Sequence, residues 1–256
     1  MDKLVSIVMP SYNTAEYIGA SIESVLAQTY TEWELLIVDD CSTDQTDAVV
    51  ASFRDERIRY FKNETNSGAA VSRNRALREA KGRWIAFLDS DDLWHPEKLE
   101  KQISFMEHNR CAFSYTAYEE IDEASEKLGR CVAGPARINK IGMYLYCWPG
   151  CLTVMYDASV IGLVQIEDIK KNNDYALWLK VIDKAECLFL REVLASYRKR
   201  SGSISNQRYV SLIKWHYRLF RVADHKKSVP AFLLTCGNMV FGVLKKLIYV
   251  KEVRAE

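Results

Sequence analysis

Short aliphatic runs alternate with segments of helical periodicity over the N-terminal third of the chain. Residues 4–9 and 33–38 are mostly aliphatic or aromatic runs, a pattern typical of buried strands. Between them, apolar side chains recur at helical spacing at Ile18, Ile22 and Val25, and Thr14 stands where it would cap the helix. The pattern predicts one strand–helix–strand unit.

The alternation continues as far as Leu88. A helix is predicted over 44–53 and a short strand over 58–61. A second helix is predicted over 69–81, with Gly82 as its C-terminal stop, followed by a buried strand over 84–88. We therefore expect an α/β fold with a mostly parallel central sheet sandwiched by helices, and a ligand site at the carboxyl ends of the strands.

Beyond Asp92 the pattern loosens. Residues 96–108 predict a helix, and 112–118 alternate apolar and polar side chains as an edge or half-exposed strand does. Residues 119–150 carry several Gly and Pro residues and predict mobile loops. Residues 172–182 begin with residues that favour helix caps and continue as an amphipathic helix.

Polar groups follow three of the predicted strands, at 10–13, 39–44 and 89–92. The last segment, Asp-Ser-Asp-Asp, crowds carboxylates that resist burial unless a cation or hydrogen bonds compensate them. Mg²⁺ and Mn²⁺ prefer oxygen ligands and are commonly completed by substrate phosphates. The pattern favours a metal and a phosphorylated ligand, although the same residue types also form solvated turns and helix caps.

The charge of the chain is uneven. The 256 residues carry a net charge of only +1, which gives no electrostatic case for nucleic-acid binding. Residues 207–256 hold ten Lys and Arg against three acidic residues, so this part carries +7 and the remainder −6. An acidic body with a basic end suits peripheral contact of that end with an anionic membrane surface.

Seven scattered cysteines without a C-x-x-C pair favour a reduced, cytosolic compartment. The N-terminus shows no signal peptide pattern. A membrane span needs about 20 mostly apolar residues, so residues 229–244 are barely long enough, and Asn238 interrupts the apolar run. Packing against the main domain and a surface-lying amphipathic anchor are both open for this segment.

Six segments, in order, resemble glycosyltransferase family 2, the inverting nucleotide-sugar transferases of GT-A fold. They are residues 5–13, 24–29, 34–44, 70–74, 89–92 and 173–180, and the resemblance extends over roughly the first four fifths of the chain. It implies a GT-A catalytic domain over 1–206, with a nucleotide-binding half over 1–95 and an acceptor half over 96–206. Residues 207–256 would form a helical C-terminal extension.

The resemblance also implies a nucleotide-sugar donor, in the first place a UDP-sugar. Pro10 and Tyr12 would flank the nucleobase, with Asn13 beside them, and the Tyr12 ring would be available for stacking. Asp40 would accept a hydrogen bond from the uracil ring.

Sugar and diphosphate contacts are implied for the following segments. Arg73 would reach the nucleotide as a cationic donor, although Arg75 is close enough to leave that assignment open. Asp89, with Ser90 next to it, would face the ribose, and Asp91 would bind Mg²⁺ or Mn²⁺ on the diphosphate.

Asp174 matches the family's general base, the second acid of a Glu-Asp pair. Asn173 replaces the first acid, which should slightly lower the proton affinity of the base. Arg198 matches the Arg of a later Arg-x-His feature, and Arg200 replaces its His, which keeps positive charge for the diphosphate but excludes imidazole ligation of a metal.

The implied acceptor is a saccharide hydroxyl, on a lipid-diphosphate-linked chain in cell-surface polysaccharide synthesis, at the cytoplasmic face of the membrane. Trp148 would stack on an acceptor sugar or belong to the core. A non-catalytic sugar-nucleotide-binding or assembly module is the alternative, suggested by Asn173 and Arg200. A dinucleotide oxidoreductase lacks support because no G-x-G-x-x-G follows the first strand, and a phosphatase would carry its Asp-x-Asp after an early strand.

Overall fold

A parallel four-stranded sheet forms the N-terminal half of the protein. The computed structural model describes residues 3–167, 169–200 and 209–252. Strands β1 (Val5–Ser11), β2 (Trp33–Asp39), β3 (Ile58–Lys62) and β4 (Trp84–Phe87) lie in the order β3-β2-β1-β4 and are all parallel. Helices α1 (Ile18–Leu26), α2 (Thr46–Ser52) and α3 (Ala69–Glu79) connect them. The predicted α/β alternation is confirmed.

Strands β1, β2 and β4 are buried, whereas β3 at the edge is partly exposed, and the side chains of β1 and β2 divide between two cores. Val8 and Leu36 point to the core that also contains residues of α3 and the later helix α7. Ile7 and Leu35 point to the opposite core, which contains residues of α1, α2 and the later helix α4. Burial on both faces explains why β1 and β2 are mostly apolar, and their polar side chains Ser6 and Glu34 are paired by a hydrogen bond.

The second half of the chain extends the sheet with strands of both directions. Its elements are β5 (Leu93–Trp94), α4 (Lys98–His108), β6 (Phe113–Ile121), β7 (Lys127–Val132), β8 (Arg137–Ile138), α5 (Lys140–Leu145), β9 (Met155–Asp157), α6 (Ala158–Ile161), α7 (Asn173–Val181) and β10 (Cys187–Arg198). Strand β9 pairs antiparallel with both β4 and β6, and β10 runs parallel to β6. The sheet is therefore mixed, and its parallel strand pairs are longer than its antiparallel ones.

Two predictions for this half are wrong. Strand β6 is not an edge strand, because β9 and β7 pair with one side of it and β10 with the other. Residues 119–150 are not merely loops, since they contain β7, β8 and α5. Both errors arise because pairing partners distant in sequence, and not local hydrophobicity, stabilise these elements.

Two local details also differ from expectation. Thr14 does not cap α1 through its side chain, because its hydroxyl instead donates to Ser90 Oγ. Helix α3 ends at Glu79, so Gly82 is not its stop. A Cβ on Gly82 would lie 2.6 Å from Leu4 O, and the Gly82 amide donates to Ser6 Oγ at 2.8 Å. Glycine is required there because its backbone approaches β1 closely.

The C-terminal part packs on the domain and rejoins its sheet. It comprises α8 (Tyr209–Arg218), a π-helical turn (Leu219–Ala223), α9 (Ser228–Ile248) and β11 (Val250–Glu252). Strand β11 pairs antiparallel with β7. Within the described ranges, α9 is the one helix whose length and composition would allow it to cross a membrane. The predicted boundary between 206 and 207 lies outside the described residues.

Candidate active site

Buried hydroxyl groups tie the polar segments after β1 and β4 together. Ser11 Oγ lies 2.9 Å from Thr14 Oγ1, which donates to Ser90 Oγ at 3.1 Å. All three side chains are buried. Ser90 thus fixes the acidic segment 89–92 against the loop after β1.

Asn13 connects the loop after β1 with the loop after β2. It adopts a left-handed backbone conformation with φ of 49°. Its backbone N–H donates to Ser42 Oγ at 2.8 Å, and its side-chain Oδ1 accepts from the Thr43 backbone N–H at 2.9 Å. Pro10 is half-buried beside it, and the Tyr12 side chain is 46% exposed. Of these residues, Tyr12 is the one that presents an open aromatic ring.

Asp40 is buried and already accepts three hydrogen bonds. The donors are Asn63 Nδ2 at 2.9 Å, the Ser67 amide at 3.0 Å and the Gly68 amide at 2.6 Å. Gly68 has a positive φ of 92°, which favours glycine. A carboxylate can accept about four hydrogen bonds, so Asp40 holds the loop that leads into α3 and retains limited capacity for a ligand.

Arg73 joins α3, the end of β4 and the start of α7. Its buried guanidinium forms an ion pair with Asp89 and donates a hydrogen bond to Asn173 Oδ1. Burial alone would lower the pKa of Arg73, but the charge of Asp89 raises it above its ordinary value. Arg75 instead donates to Lys62 O and Asn63 Oδ1. The structure therefore places Arg73 next to the acidic segment and Arg75 on the loop after β3.

Asp91 and Asp92 follow Asp89 in a crowded acidic turn. Arg200 Nε lies 2.6 Å from Asp91 Oδ2, and the Arg198 amide donates to Asp92 Oδ1 at 2.9 Å. Burial, and then the negative charge of Asp89, raise the pKa of Asp91 above its usual range. Burial, and then the charges of Asp91 and Asp89, raise the pKa of Asp92 further. The positive charge nearby does not fully compensate these carboxylates.

This turn has the oxygen donors that a hard divalent cation prefers, and a cation would supply the missing positive charge. Within 3–167, 169–200 and 209–252, no group of three or more His, Cys, Asp or Glu side chains is arranged to hold a metal. Asp91, with Asp89 next to it, would therefore hold Mg²⁺ or Mn²⁺ only together with oxygens of another molecule.

Asp174 lies in the first turn of α7, directly after Asn173. Burial raises the pKa of its carboxyl, the positive charge of Arg73 lowers it, and the negative charge of Asp89 raises it. Arg73 donates to Asn173, the residue directly before Asp174, which places Asp174 close to the Arg73–Asp89 pair. Residues far apart in sequence thus gather at the carboxyl ends of β1, β2 and β4.

Arg198 does not lie free to meet a diphosphate. Its side chain is buried, and Nε donates to Asp91 O at 2.8 Å. Nη1 donates to Asp122 O and Glu123 O, both at 3.0 Å. Arg198 therefore fixes the turn between β6 and β7 against the acidic segment, and it positions Asp91 instead of presenting a charge to the crevice.

Trp148 is a core residue in this structure. It is 8% exposed, and its ring packs edge-on against Tyr146 and Tyr249 at centroid distances of 5.3 and 5.4 Å. Its Nε1–H donates to Gly142 O at 3.0 Å. The expectation of an exposed sugar platform is wrong for Trp148, and of the two interpretations the core is the one that the structure supports.

Sequence reasoning missed two contributors to the site. Tyr17 lies beneath both guanidinium groups, with its ring centroid 5.2 Å from Arg198 Cζ and 5.7 Å from Arg200 Cζ. Nothing in its local pattern marks it. Asn173, considered in sequence only as a lost charge, accepts a hydrogen bond from Arg73. Its position next to Asp174 was the available signal.

Comparison with known proteins now settles the family. The model of the family described as "Glycosyl transferase family 2" matches residues 6–147. The chain belongs to glycosyl transferase family 2. It is 42% identical, over 93% of its length and 96% of the relative, to the putative teichuronic acid biosynthesis glycosyltransferase TuaG of Bacillus subtilis (strain 168).

A second relative carries a fuller description. The chain is 44% identical, over 82% of its length and 83% of the relative, to the Escherichia coli enzyme WfgD. That protein is described as a UDP-Glc:α-D-GlcNAc-diphosphoundecaprenol β-1,3-glucosyltransferase.

Solved structures support the GT-A fold. S. aureus TarS 1–349 in complex with UDP-GlcNAc superposes with a TM-score of 0.73 at 23% identity, covering 92% of this chain and 70% of that one. The mannosyltransferase PcManGT from Pyrobaculum calidifontis, in complex with GDP-Man and Mn²⁺, superposes with a TM-score of 0.66 at 16% identity, covering 96% and 71%. The predicted family and fold are confirmed.

Proposed function

We propose that this glycosyltransferase moves a hexose, in the first place glucose, from a UDP-sugar to a saccharide hydroxyl with inversion at the anomeric carbon. The observation that carries the proposal is that Arg73 pairs with Asp89, in the acidic turn of Asp91, and donates to Asn173, directly before Asp174. The description of WfgD supports UDP-glucose as donor and an undecaprenol-diphosphate-linked sugar as acceptor.

The uridine would lie against the loops after β1 and β2. Tyr12 offers an exposed ring on which a base can stack. Pro10 and Asn13 shape the same loop, and Asp40 would accept one more hydrogen bond, from the uracil ring. Asp89, held by Arg73, would face the ribose.

Mg²⁺ or Mn²⁺ would be held by Asp91 together with diphosphate oxygens, and when bound it supplies positive charge to the departing UDP. PcManGT, with its bound Mn²⁺, is consistent with this assignment. The Arg200 guanidinium is 29% exposed and touches Asp91. It would therefore add a second positive charge beside the diphosphate.

Asp174 would act as the general base. A carboxyl whose pKa is raised above its ordinary value accepts a proton more readily, which suits base catalysis near neutral pH. The acceptor oxygen forms the new bond to the anomeric carbon and its proton moves to Asp174. The bond from that carbon to the diphosphate oxygen breaks, and its electron pair leaves with UDP.

The acceptor would be a saccharide on a lipid diphosphate, as the description of WfgD indicates for that relative. Such a substrate stays in the membrane while nucleotide sugars are cytoplasmic. The reaction would therefore take place at the cytoplasmic face of the cell membrane.

The test is UDP release from a panel of UDP-sugars and GDP-mannose, each with Mn²⁺, with Mg²⁺ and with chelator. We expect metal-dependent release that is strongest with UDP-glucose and needs an acceptor with an undecaprenol-diphosphate-linked sugar. Asp91→Asn should lower the rate about 10²-fold or more and remove the metal-dependent part of the thermal stabilisation by UDP.

The matched control is Asp183→Asn, which alters an exposed carboxylate paired with Lys140. It should leave the rate and the metal dependence unchanged. UDP binding without turnover by the wild-type protein, under all these conditions, would instead establish the non-catalytic binding module.

A further inference from the structure

Helix α9 exposes most of its large apolar side chains, which is unusual for a helix of a water-soluble protein. Its large apolar side chains are exposed on the outer face, with Phe232 57% and Leu247 76% accessible. The other members of this outer face are Val229, Leu233, Val240, Val243, Leu244 and Ile248, together with the thiol of Cys236. Soluble surface helices turn such residues toward the core.

The inner face of the same helix packs Ala231, Leu234 and Phe241 on the core and also carries polar groups that meet the domain. Asn238 Nδ2 donates to Tyr175 Oη at 2.8 Å, and buried Lys245 donates to Trp148 O at 3.2 Å. Thr235 is buried and donates to Ala231 O. The Asn238 and Lys245 bonds reach the domain, whereas the Thr235 bond stays within the helix, so two hydrogen bonds specify the orientation of α9. It cannot rotate to bury its apolar face without breaking them.

The helix lies flat on the domain and does not project from it. Contacts reach from Ala231 in its first turns to Lys245 near its end. Directly after it, β11 returns to the sheet by pairing with β7. A 21-residue helix is about 30 Å long, so its outer face is an apolar strip along one side of the protein.

Charge identifies what covers this strip. Helix α9 contains no acidic residue, and exposed Lys227, Lys246 and Lys251 stand at its two ends. Packing α9 against α9 of a second copy would bring these like charges together at both ends. A bilayer with anionic headgroups would instead pair with the lysines while the apolar side chains enter the acyl boundary.

We propose that the outer face of α9 is a monotopic membrane-binding surface that lies in the headgroup region of an anionic bilayer. The same helix touches α7 through Asn238 and Tyr175, one residue from Asp174. Docking through α9 therefore sets the distance of the Asp174 region from the bilayer. The membrane surface stands on the geometry of α9, and only its use for a lipid-linked acceptor rests on the proposed function.

The experiment is co-sedimentation of the full chain with phosphatidylglycerol–phosphatidylcholine vesicles and with phosphatidylcholine vesicles alone. We expect binding to the anionic vesicles that weakens as salt is added. The double variant F232E/L247E should bind at least about tenfold more weakly, since each substitution removes an apolar side chain from the bilayer. The double variant V240E/V243E, on the same face, should weaken vesicle binding to a similar extent.

Val160→Glu is the matched control, because Val160 is 61% exposed and belongs to α6 instead of the apolar strip of α9. It should bind as the wild type does. A fluorophore on Cys236, which among the described cysteines is the exposed one, should shift to the blue on anionic vesicles and be quenched by nitroxide lipids at headgroup depth.

Wild-type protein that stays in the supernatant, or F232E/L247E that binds as V160E does, would overturn the proposal. So would a dimer that F232E/L247E dissociates, without any vesicle binding by the wild type. The affinity for UDP, measured without vesicles, should be equal in wild type and F232E/L247E. Vesicle binding by a wild type that releases no UDP would support this surface while refuting the proposed function.

Discussion

Two groups of carboxylates lie close together at the ends of the strands, and they differ in how their charges are satisfied. Asp39 and Asp40 accept hydrogen bonds from nearby amide and hydroxyl donors, three of them at Asp40. Asp91 and Asp174 have raised pKa values because burial is not fully compensated. The first group accepts from N–H and O–H donors of the loops after β2 and β3, and the second lies near guanidinium groups that leave charge to be compensated.

This difference separates holding the loops from performing chemistry. A carboxylate that accepts several hydrogen bonds from amide and hydroxyl donors holds those donors in place, so it suits a structural role and the positioning of a ligand. A carboxylate with incomplete compensation gains from a cation or a proton. We therefore expect amide substitutions to affect stability in the first group and turnover in the second.

The largest expected effect is that of Asp174→Asn. Asparagine has the same shape but does not accept a proton, so kcat should fall about 10²–10⁴-fold. The free energy of unfolding at pH 7 should stay equal or rise, because the substitution removes a carboxylate whose charge is disfavoured by burial. Steady-state kinetics and urea denaturation check the two expectations, with Asp183→Asn as the control.

The pH dependence follows from the same raised pKa. The folded protein prefers protonated Asp174, so this group costs stability as pH rises from the unfolded pKa of about 3.9 to the higher folded pKa. The stability gained by Asp174→Asn should therefore be larger at pH 7 than at pH 4. The acidic limb of kcat should lie above the usual Asp range. A variant that retains full turnover, or gains most at pH 4, would contradict the assignment.

An intermediate effect is expected for Asp40→Asn. Its amide group would place an N–H against one of the donors now facing Asp40, and the free energy of unfolding should fall by about 1–3 kcal/mol. Affinity for UDP, measured calorimetrically, should fall with it because the loop into α3 loosens. If the variant is as stable as Asp183→Asn, Asp40 is not the structural carboxylate described here.

The smallest effect is expected for Trp148→Phe, which tests the corrected position of that residue. Phenylalanine keeps an aromatic ring in the core but loses the Nε1–H bond to Gly142 O, so stability should fall by about 1 kcal/mol. The KM for acceptor should change less than about twofold. A large rise in that KM with unchanged stability would show that Trp148 contacts the acceptor.

Much of the nucleotide-binding half was predictable from sequence. Mostly apolar runs marked the parallel strands, helical periodicity marked α1 to α3, and the polar segments after β1, β2 and β4 marked the site. These signals are local, because a strand buried on both faces is rich in apolar residues. Helix α7 with Asp174 was predictable from its cap-type residues and its periodicity.

The acceptor half was not predictable in the same way. Strand β6 resembles an edge strand in sequence, and only its pairing with β9, β7 and β10 makes it central. Arg198 and Trp148 are residue types that often contact ligands, but both are buried here and donate hydrogen bonds within the protein. The partners that decide these roles lie far away in sequence.

The sequence by itself determined the family, the parallel strands and the identity of the carboxylates, because each depends on residue types at short spacing. The tertiary structure decided which carboxylates accept several hydrogen bonds from neighbouring loops. It also decided that Arg73 and not Arg75 meets Asp89, and that α9 turns its apolar face outward. Periodicity shows that a helix has two faces. Which face is buried depends on the hydrogen-bond partners that the domain offers, and for α9 those are Tyr175 Oη and Trp148 O.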